Sequence, residues 1–138
     1  MSTLGFRSIE VTLKKFFIYW FPILLYCLLI FIQSSYPSPK IETNVPQFDK
    51  MLHFLGYALL GALFLRAFLT SSMNHRLILI FLLSVLFSGL YGISDEIHQS
   101  FVPFRDASVM DALADIIGSA FGAAVFMLWF KSYLKKRA

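Results

Sequence analysis

"FFIYWFPILLYCLLIFIQ", Phe16–Gln33, runs eighteen residues without a charged side chain. A helix in a soluble bundle shows a polar stripe along its outer face, and this segment has almost none. Crossing a bilayer takes roughly 20 mostly apolar residues, within a range of about 17–25. Three further segments reach or approach that length: Leu52–Leu69, Leu77–Ile93 and Met110–Phe130. Only 14% of the chain is charged against 58% hydrophobic. A soluble domain carries about 25% charge, so this chain is not built to face water on all sides. The reading is an all-α polytopic membrane protein, four transmembrane helices in one compact bundle, with residues 1–138 as a single membrane domain.

Lys14 and Lys15 precede the first apolar run, as in a secretory signal. That run exceeds the usual 7–15 apolar residues, and no small-x-small cleavage site follows it. Within "LLYC", Leu24–Cys27, Tyr26 stands where a lipoprotein signal wants a small residue. The expectation is an uncleaved first helix. Cys27 is the only cysteine, which excludes an intrachain disulfide.

The net charge of +4 does not imply nucleic acid, because the basic residues stand at the ends of apolar segments. Arg7, Lys14, Lys15, Arg66, Arg76, Lys131, Lys135, Lys136 and Arg137 fall on one side of a four-span topology. Lys40, Lys50 and Arg105 fall on the other. Positive residues mark the cytoplasmic side, so both termini are expected there. The connections Ser34–Lys50 and Ser94–Val109 then lie outside. Pro37, Pro39 and Pro46 make the first of them an extended, turn-rich strap.

Polar residues concentrate at that outer side. "YGISDEIHQSFVPFRDASVMDALAD", Tyr91–Asp115, holds five acids, His98 and Arg105. Lys50, His53 and Tyr57 are spaced i, i+3, i+7 and share a helix face. Ser84, Ser88, Tyr91, Gly92, Asp95 and Gln99 make a comparable stripe on the third helix. Ser108, Asp111, Asp115 and Ser119 make one on the fourth. Asp115 lies inside its span, where a carboxylate points into the bundle and pairs; His53, Lys50 and Arg105 are its candidate partners. The candidate outer pocket therefore comprises Lys50, His53, Tyr57, Asp95, Glu96, His98, Gln99, Arg105, Asp111 and Asp115. Gly118 and Gly122, with Ala114, form a small-xxx-small stripe for close helix packing.

Arg105, in the loop after Pro103, suits a phosphate or carboxylate through its planar fork. Its plainer role is a salt bridge to Asp95, Glu96 or Asp111. His53 and His98 could join these acids around an ion. Neither HExxH nor a cysteine-based spacing is present, so no metal and no cofactor is assigned. No nucleophile elbow surrounds Ser94, Ser100 or Ser108. An acid–base pair such as Asp95 with His53 is chemically available, and the catalytic residues stay unassigned.

"DKMLHFLGYALLG", Asp49–Gly61, and "YGISDEIHQSFVPFRDASVMDALADIIGSAFG", Tyr91–Gly122, resemble the VanZ-like family of small bacterial membrane proteins. "QSSYP", Gln33–Pro37, is similar to that family's Ser-rich end of the first helix. The resemblance covers about Phe31–Gly122. Phe104 departs from it, standing where a glycine often lies between the proline and the arginine, and Asp115 falls where an asparagine is also common. The founding member is associated with low-level resistance to teicoplanin. The resemblance thus implies a bacterial inner-membrane, multi-pass location, with membrane lipids as neighbours. Three functions stay open. One is an envelope protein whose outer pocket binds a lipid-linked, anionic or glycopeptide ligand, such as a cell-wall precursor. The second is a membrane-embedded enzyme using acid–base or metal-assisted chemistry on an envelope lipid. The third is a structural or partner-binding module.

Overall fold

The computed structural model describes residues 11–37, 47–71, 73 and 75–137. Four helices long and apolar enough to span a membrane account for nearly all of them: α1 Val11–Ser34, α2 Phe48–Phe68, α3 Leu77–Gln99 and α4 Val109–Lys135. No strand occurs among the described residues. At 1.5 Å per residue, helices of 21–27 residues are about 32–40 Å long. That suffices for a hydrocarbon core of about 30 Å.

The chain runs up and down. The end of α1 meets the end of α3 through Ser34 and Asp95, and the start of α2 meets the start of α4 through Lys50 and Asp111. These four helix ends define one end of the bundle, called here the site end. The start of α1, the end of α4 and the described residues joining α2 to α3 lie at the opposite end. The proline strap expected between α1 and α2 lies mostly outside the described residues.

The helices outrun the apolar segments that announced them. α1 begins at Val11 rather than Phe16, α2 at Phe48 rather than Leu52, and α4 ends at Lys135 rather than Phe130. The largest correction concerns α3, expected to stop at Ile93 but helical to Gln99. "SDEIHQ", Ser94–Gln99, falls in the outer connection by the expected span limits, although Asp95 and Gln99 also extend the polar stripe of the third helix. Its Asp95, Glu96 and Gln99 are instead buried and bonded inside the bundle, so the backbone has no reason to leave the helix. The second connection shrinks to residues 100–108.

Phe16–Trp20 form a π turn inside α1, just ahead of Pro22. Pro22 has no N–H to donate to the carbonyl four residues back, and its ring crowds that carbonyl. Widening the turn accommodates both. α4 starts cleanly: the Ser108 hydroxyl accepts from the Met110 amide at 3.1 Å, an N-cap that satisfies one free donor.

The tightest contact is between α2 and α4. A Cβ on Gly118 or Gly122 would run into the backbone of Phe54 or Ala58, and one on Gly61 into the backbone of Ser119. Only glycine allows this approach, at Gly118 and Gly122 of α4 and Gly61 of α2. Small residues are the usual device where lipid supplies no hydrophobic driving force between helices. The buried apolar core is small. Ile23, Tyr57, Leu60 and Ala67 form one cluster, and Leu65, Ile80 and Ala123 another. Outward faces carry Leu24, Leu28, Leu82, Leu86, Leu90 and many more exposed apolar side chains, as a lipid-facing surface requires.

Candidate functional site

Helix phase on α2 places Lys50 and His53 toward α4, where Asp111 and Asp115 occupy the matching i, i+4 positions, while the Tyr57 ring lies beside Gly92 and Tyr91 of α3. The Lys50 ammonium donates to Asp111 Oδ1 at 3.1 Å and to the exposed Asp49 Oδ2 at 2.9 Å. One turn deeper, His53 Nδ1 stands 3.0 Å from Asp115 Oδ1. Asp115 is fully buried, with 0% of its surface exposed. Of the three partners expected for it, His53 is the one it has.

α3 adds the third side. Glu96, 7% exposed, reaches across the end of the bundle. Its Oε2 accepts from the Ser108 amide at 2.8 Å, so the carboxylate also faces the N-terminus of α4, where a negative charge is favoured. Its Oε1 points at His53 Nδ1, 3.7 Å away. Deeper still, Gly92 makes room for the layer beneath: a Cβ there would stand 2.8 Å from Asp115 Oδ2 and 3.1 Å from the Tyr57 ring. Three buried oxygens have no hydrogen-bond partner among the described residues: Tyr57 OH, Glu96 Oε1 and Asp115 Oδ2.

Asp95 belongs to a neighbouring network. Its Oδ1 accepts from the Ser34 hydroxyl of α1 at 2.6 Å and its Oδ2 from Gln99 Nε2 at 2.9 Å. Both carboxylate oxygens are thus engaged, and Asp95 is not the partner of His53. His98 turns toward α1 as well. It stacks on Phe31 at 4.6 Å between centroids and shares a hydrogen bond with Ser35 Oγ at 3.0 Å. The sequence grouped it with His53; the helix period sends it to another face.

Arg105 is the clearest revision. It makes no salt bridge to Asp95, Glu96 or Asp111. Nε donates to the Tyr36 carbonyl at 3.0 Å and Nη2 to the Gln33 carbonyl at 2.8 Å. The guanidinium therefore caps the C-terminus of α1, where unpaired carbonyls and the helix dipole both favour a cation. Its loop turns at Phe104, whose φ of 63° is left-handed. That is the position where the resemblance leads one to expect glycine, the residue that adopts this conformation without strain.

A cavity of about 440 Å³ opens beside the cluster, between α1 and α2. Tyr26, Leu29, Ile30 and Gln33 line it from α1, Asp49, Leu52, His53, Gly56 and Tyr57 from α2, with Asp95 and Arg105 above. Leu29 and Leu52 are half exposed on the apolar surface, so the cavity is a cleft whose rim faces where lipid would be. Tyr26, read in the sequence only against a lipoprotein signal, and Gly61 had no expected role in the site. Tyr26 donates to the Gly56 carbonyl at 3.1 Å, and Tyr91 does the same to the Cys27 carbonyl.

Four membrane-spanning helices with an ionisable cluster sealed into one end, beside a side-opening cleft, define a class: a small polytopic membrane protein with an intramembrane polar site. The chain belongs to the VanZ/LLP1 family, whose model matches residues 6–130, nearly the whole of it. No curated protein and no solved structure matches it.

Proposed function

We propose that this VanZ-like protein is an envelope protein of the bacterial inner membrane that receives the polar head of a membrane amphiphile in the cleft between α1 and α2. The observation that supports this is the cleft's gradient, from Leu29, Ile30 and Leu52 at its rim to Gln33, His53, Tyr57 and Asp95 within. An acyl chain left in the bilayer and a head drawn inward would match it.

The chemistry of the floor favours a particular kind of head. Arg105 has two donors engaged by carbonyls, and Lys50 stands between two carboxylates. Neither is a free cation for an anion. The floor is richer in acceptors than in donors, which suits the hydroxyls and amides of a lipid-linked cell-wall precursor or an acylated glycopeptide of the teicoplanin type. Such a protein would lower sensitivity to teicoplanin by holding one or the other.

Both termini are proposed to face the cytoplasm, following the nine-to-three division of basic residues. Cysteines placed at Ser100 and Ser132 in a Cys27→Ser background, treated with an impermeant thiol reagent on intact cells, report the orientation. Labelling at Ser132 and not at Ser100 inverts it.

The cleft is tested by Gly56→Leu. A Cβ at Gly56 stands 3.7 Å from Tyr26 OH, ordinary contact, so the branched end projects into the cavity without displacing backbone. The variant is expected to insert at normal abundance, to lose any amphiphile seen by native mass spectrometry, and to lose teicoplanin protection. Full protection at normal abundance would rule the cleft out. The rival enzymatic reading draws on the unpartnered Glu96 and Asp115 oxygens; turnover of a lipid-linked precursor that Glu96→Gln abolishes would favour it.

A further inference from the structure

We propose that His53, Glu96 and Asp115 form a binding site for one divalent transition-metal ion of the zinc or manganese kind, sealed into the site end between α2, α3 and α4. The site goes beyond the amphiphile-binding reading and stands whether or not the cleft admits a lipid.

The donors are suitable in type and placement. His53 Nδ1 is 3.0 Å from Asp115 Oδ1 and 3.7 Å from Glu96 Oε1, and no two of the three donor atoms stand more than 4.8 Å apart. Two ligands of a tetrahedral ion, each about 2.0–2.1 Å from it, stand roughly 3.3 Å from one another. The two observed spacings bracket that edge. One imidazole and two carboxylates are a hard, borderline set, fitting zinc and manganese better than copper(I) or an iron–sulfur cluster. Three protein ligands leave at least one position for water or substrate, the arrangement of catalytic rather than structural zinc.

Acidic clusters are common without ions, and an independent observation points to a ligand here. Glu96 is more than nine-tenths buried, its Oε2 is satisfied by the Ser108 amide, and its Oε1 has no partner among the described residues although it faces His53. Asp115 is fully buried too, with Oδ1 toward His53 and its second oxygen, Oδ2, unpartnered on the Gly92 side. Buried polar atoms are nearly always bonded, and an uncompensated carboxylate within a span is costly. Two ionised carboxylates with a neutral imidazole carry a charge of −2, which one divalent ion cancels. The placement is also held from behind. Gly92 admits Asp115 Oδ2, the Ser108 amide fixes Glu96, and Ser119 bonds the Asp115 carbonyl at 2.7 Å.

The test uses the full chain, purified in detergent, stripped with a chelator and titrated with zinc chloride or manganese chloride by calorimetry. Metal content is measured after desalting. The expected result is saturable binding of one ion per chain with a rise in thermal midpoint. Glu96→Gln, which keeps the Oε2 position and Ser108 contact, should weaken binding by at least about tenfold, since even outer-shell changes cost about 10–100-fold. His53→Gln should do likewise. His75→Gln, at the opposite end, and His98→Gln, on the α1 side, should leave affinity unchanged. Absence of saturable binding of either metal overturns the proposal, as does binding that survives Glu96→Gln and His53→Gln or disappears with His75→Gln. In that case protons, not a metal, neutralise the cluster. Should Asp115→Asn misfold, Glu96→Gln and His53→Gln still decide the matter.

Discussion

Helix α4 lies on α2 backbone to backbone, with Gly61, Gly118 and Gly122 leaving no room for a side chain between them. Helix α1 meets the same α2 through whole side chains. Tyr26 reaches the Gly56 carbonyl, Trp20 sits edge-on to Phe68 at 5.4 Å, and Arg66 lies over the Tyr19 ring. Its ties to α3 and the loop beyond include Ser34 to Asp95, Ser35 to His98, Tyr91 to the Cys27 carbonyl, and the Arg105 cap. Ile23 and Ser34 are the only buried residues in its 14-residue α-helical stretch. In lipid, apolar surface gains little by moving from tails to another helix. Close backbone approach therefore fixes a helix through dispersion over its length, whereas polar tethers hold it at points. The ionisable cluster is built on the fixed α2–α4 pair with α3, and the cleft opens along the tethered helix.

The comparison breaks most sharply at the glycines. Gly122→Leu should yield no monodisperse protein on extraction, because a side chain there has only the Ala58 backbone to displace. Gly56→Ala, facing α1, should be recovered at normal yield, its Cβ 3.7 Å from Tyr26 OH. Equal loss from both would erase the distinction between the two contacts. Asp115→Ala comes next. It strands His53 against Glu96 and should lower stability by about 3 kcal/mol, at the lower end for a broken buried pair, read as a drop in thermal midpoint in detergent.

The α1 tethers should each matter less. Tyr26→Phe or Tyr91→Phe removes one hydrogen bond, averaging about 0.6 kcal/mol between membrane helices. Cys27 gives a second readout, since its half-buried thiol packs toward the core from α1. Its rate of modification by a membrane-permeant maleimide should rise for both variants, and further for Arg105→Ala. No change in that rate would mean that α1 is held by packing after all. The last effect carries the opposite sign. Phe104, 87% exposed, buries almost nothing in its left-handed turn. Phe104→Gly should raise the thermal midpoint, by roughly 1 kcal/mol in stability, by removing the Cβ penalty of that conformation. A lower midpoint would show that the ring itself holds the turn.

The spans were legible because bilayer solvation acts on residue type alone, and Phe16–Gln33 needs no partner to declare itself. The pairing of α2 with α4 at the site end was half legible. Lys50 and His53, like Asp111 and Asp115, follow helix spacing, so aligning one helix start with the other suggests both pairs. The end of α3 was half legible: Asp95 and Gln99 extend the stripe of Ser84, Ser88 and Tyr91, but a polar run also reads as a loop until its partners are known, and those include α1 and the Ser108 amide. The Arg105 contacts were invisible for a related reason. Its acceptors are main-chain carbonyls at Gln33 and Tyr36, and every residue in a sequence has one. Gly61 could have been found by extending to α2 the small-residue reasoning applied to Gly118 and Gly122.

The wide turn at Phe16–Trp20 has a consequence for how α1 can move. A π turn adds a residue to the helix, so residues before it stand about 100° around the axis from where an unbroken α-helix would put them. The stretches on either side of it are out of phase. Sliding α1 along its axis by one turn would keep the phase on each side but not across the wide turn, and would carry Trp20, which is part of that turn, away from Phe68. The screw-like step therefore costs this helix its aromatic contacts near the wide turn. The alternative is a swing, with the aromatic contacts near the wide turn as the pivot and the Ser34, Ser35 and Arg105 bonds as a latch at the far end, and a swing there would widen the cleft.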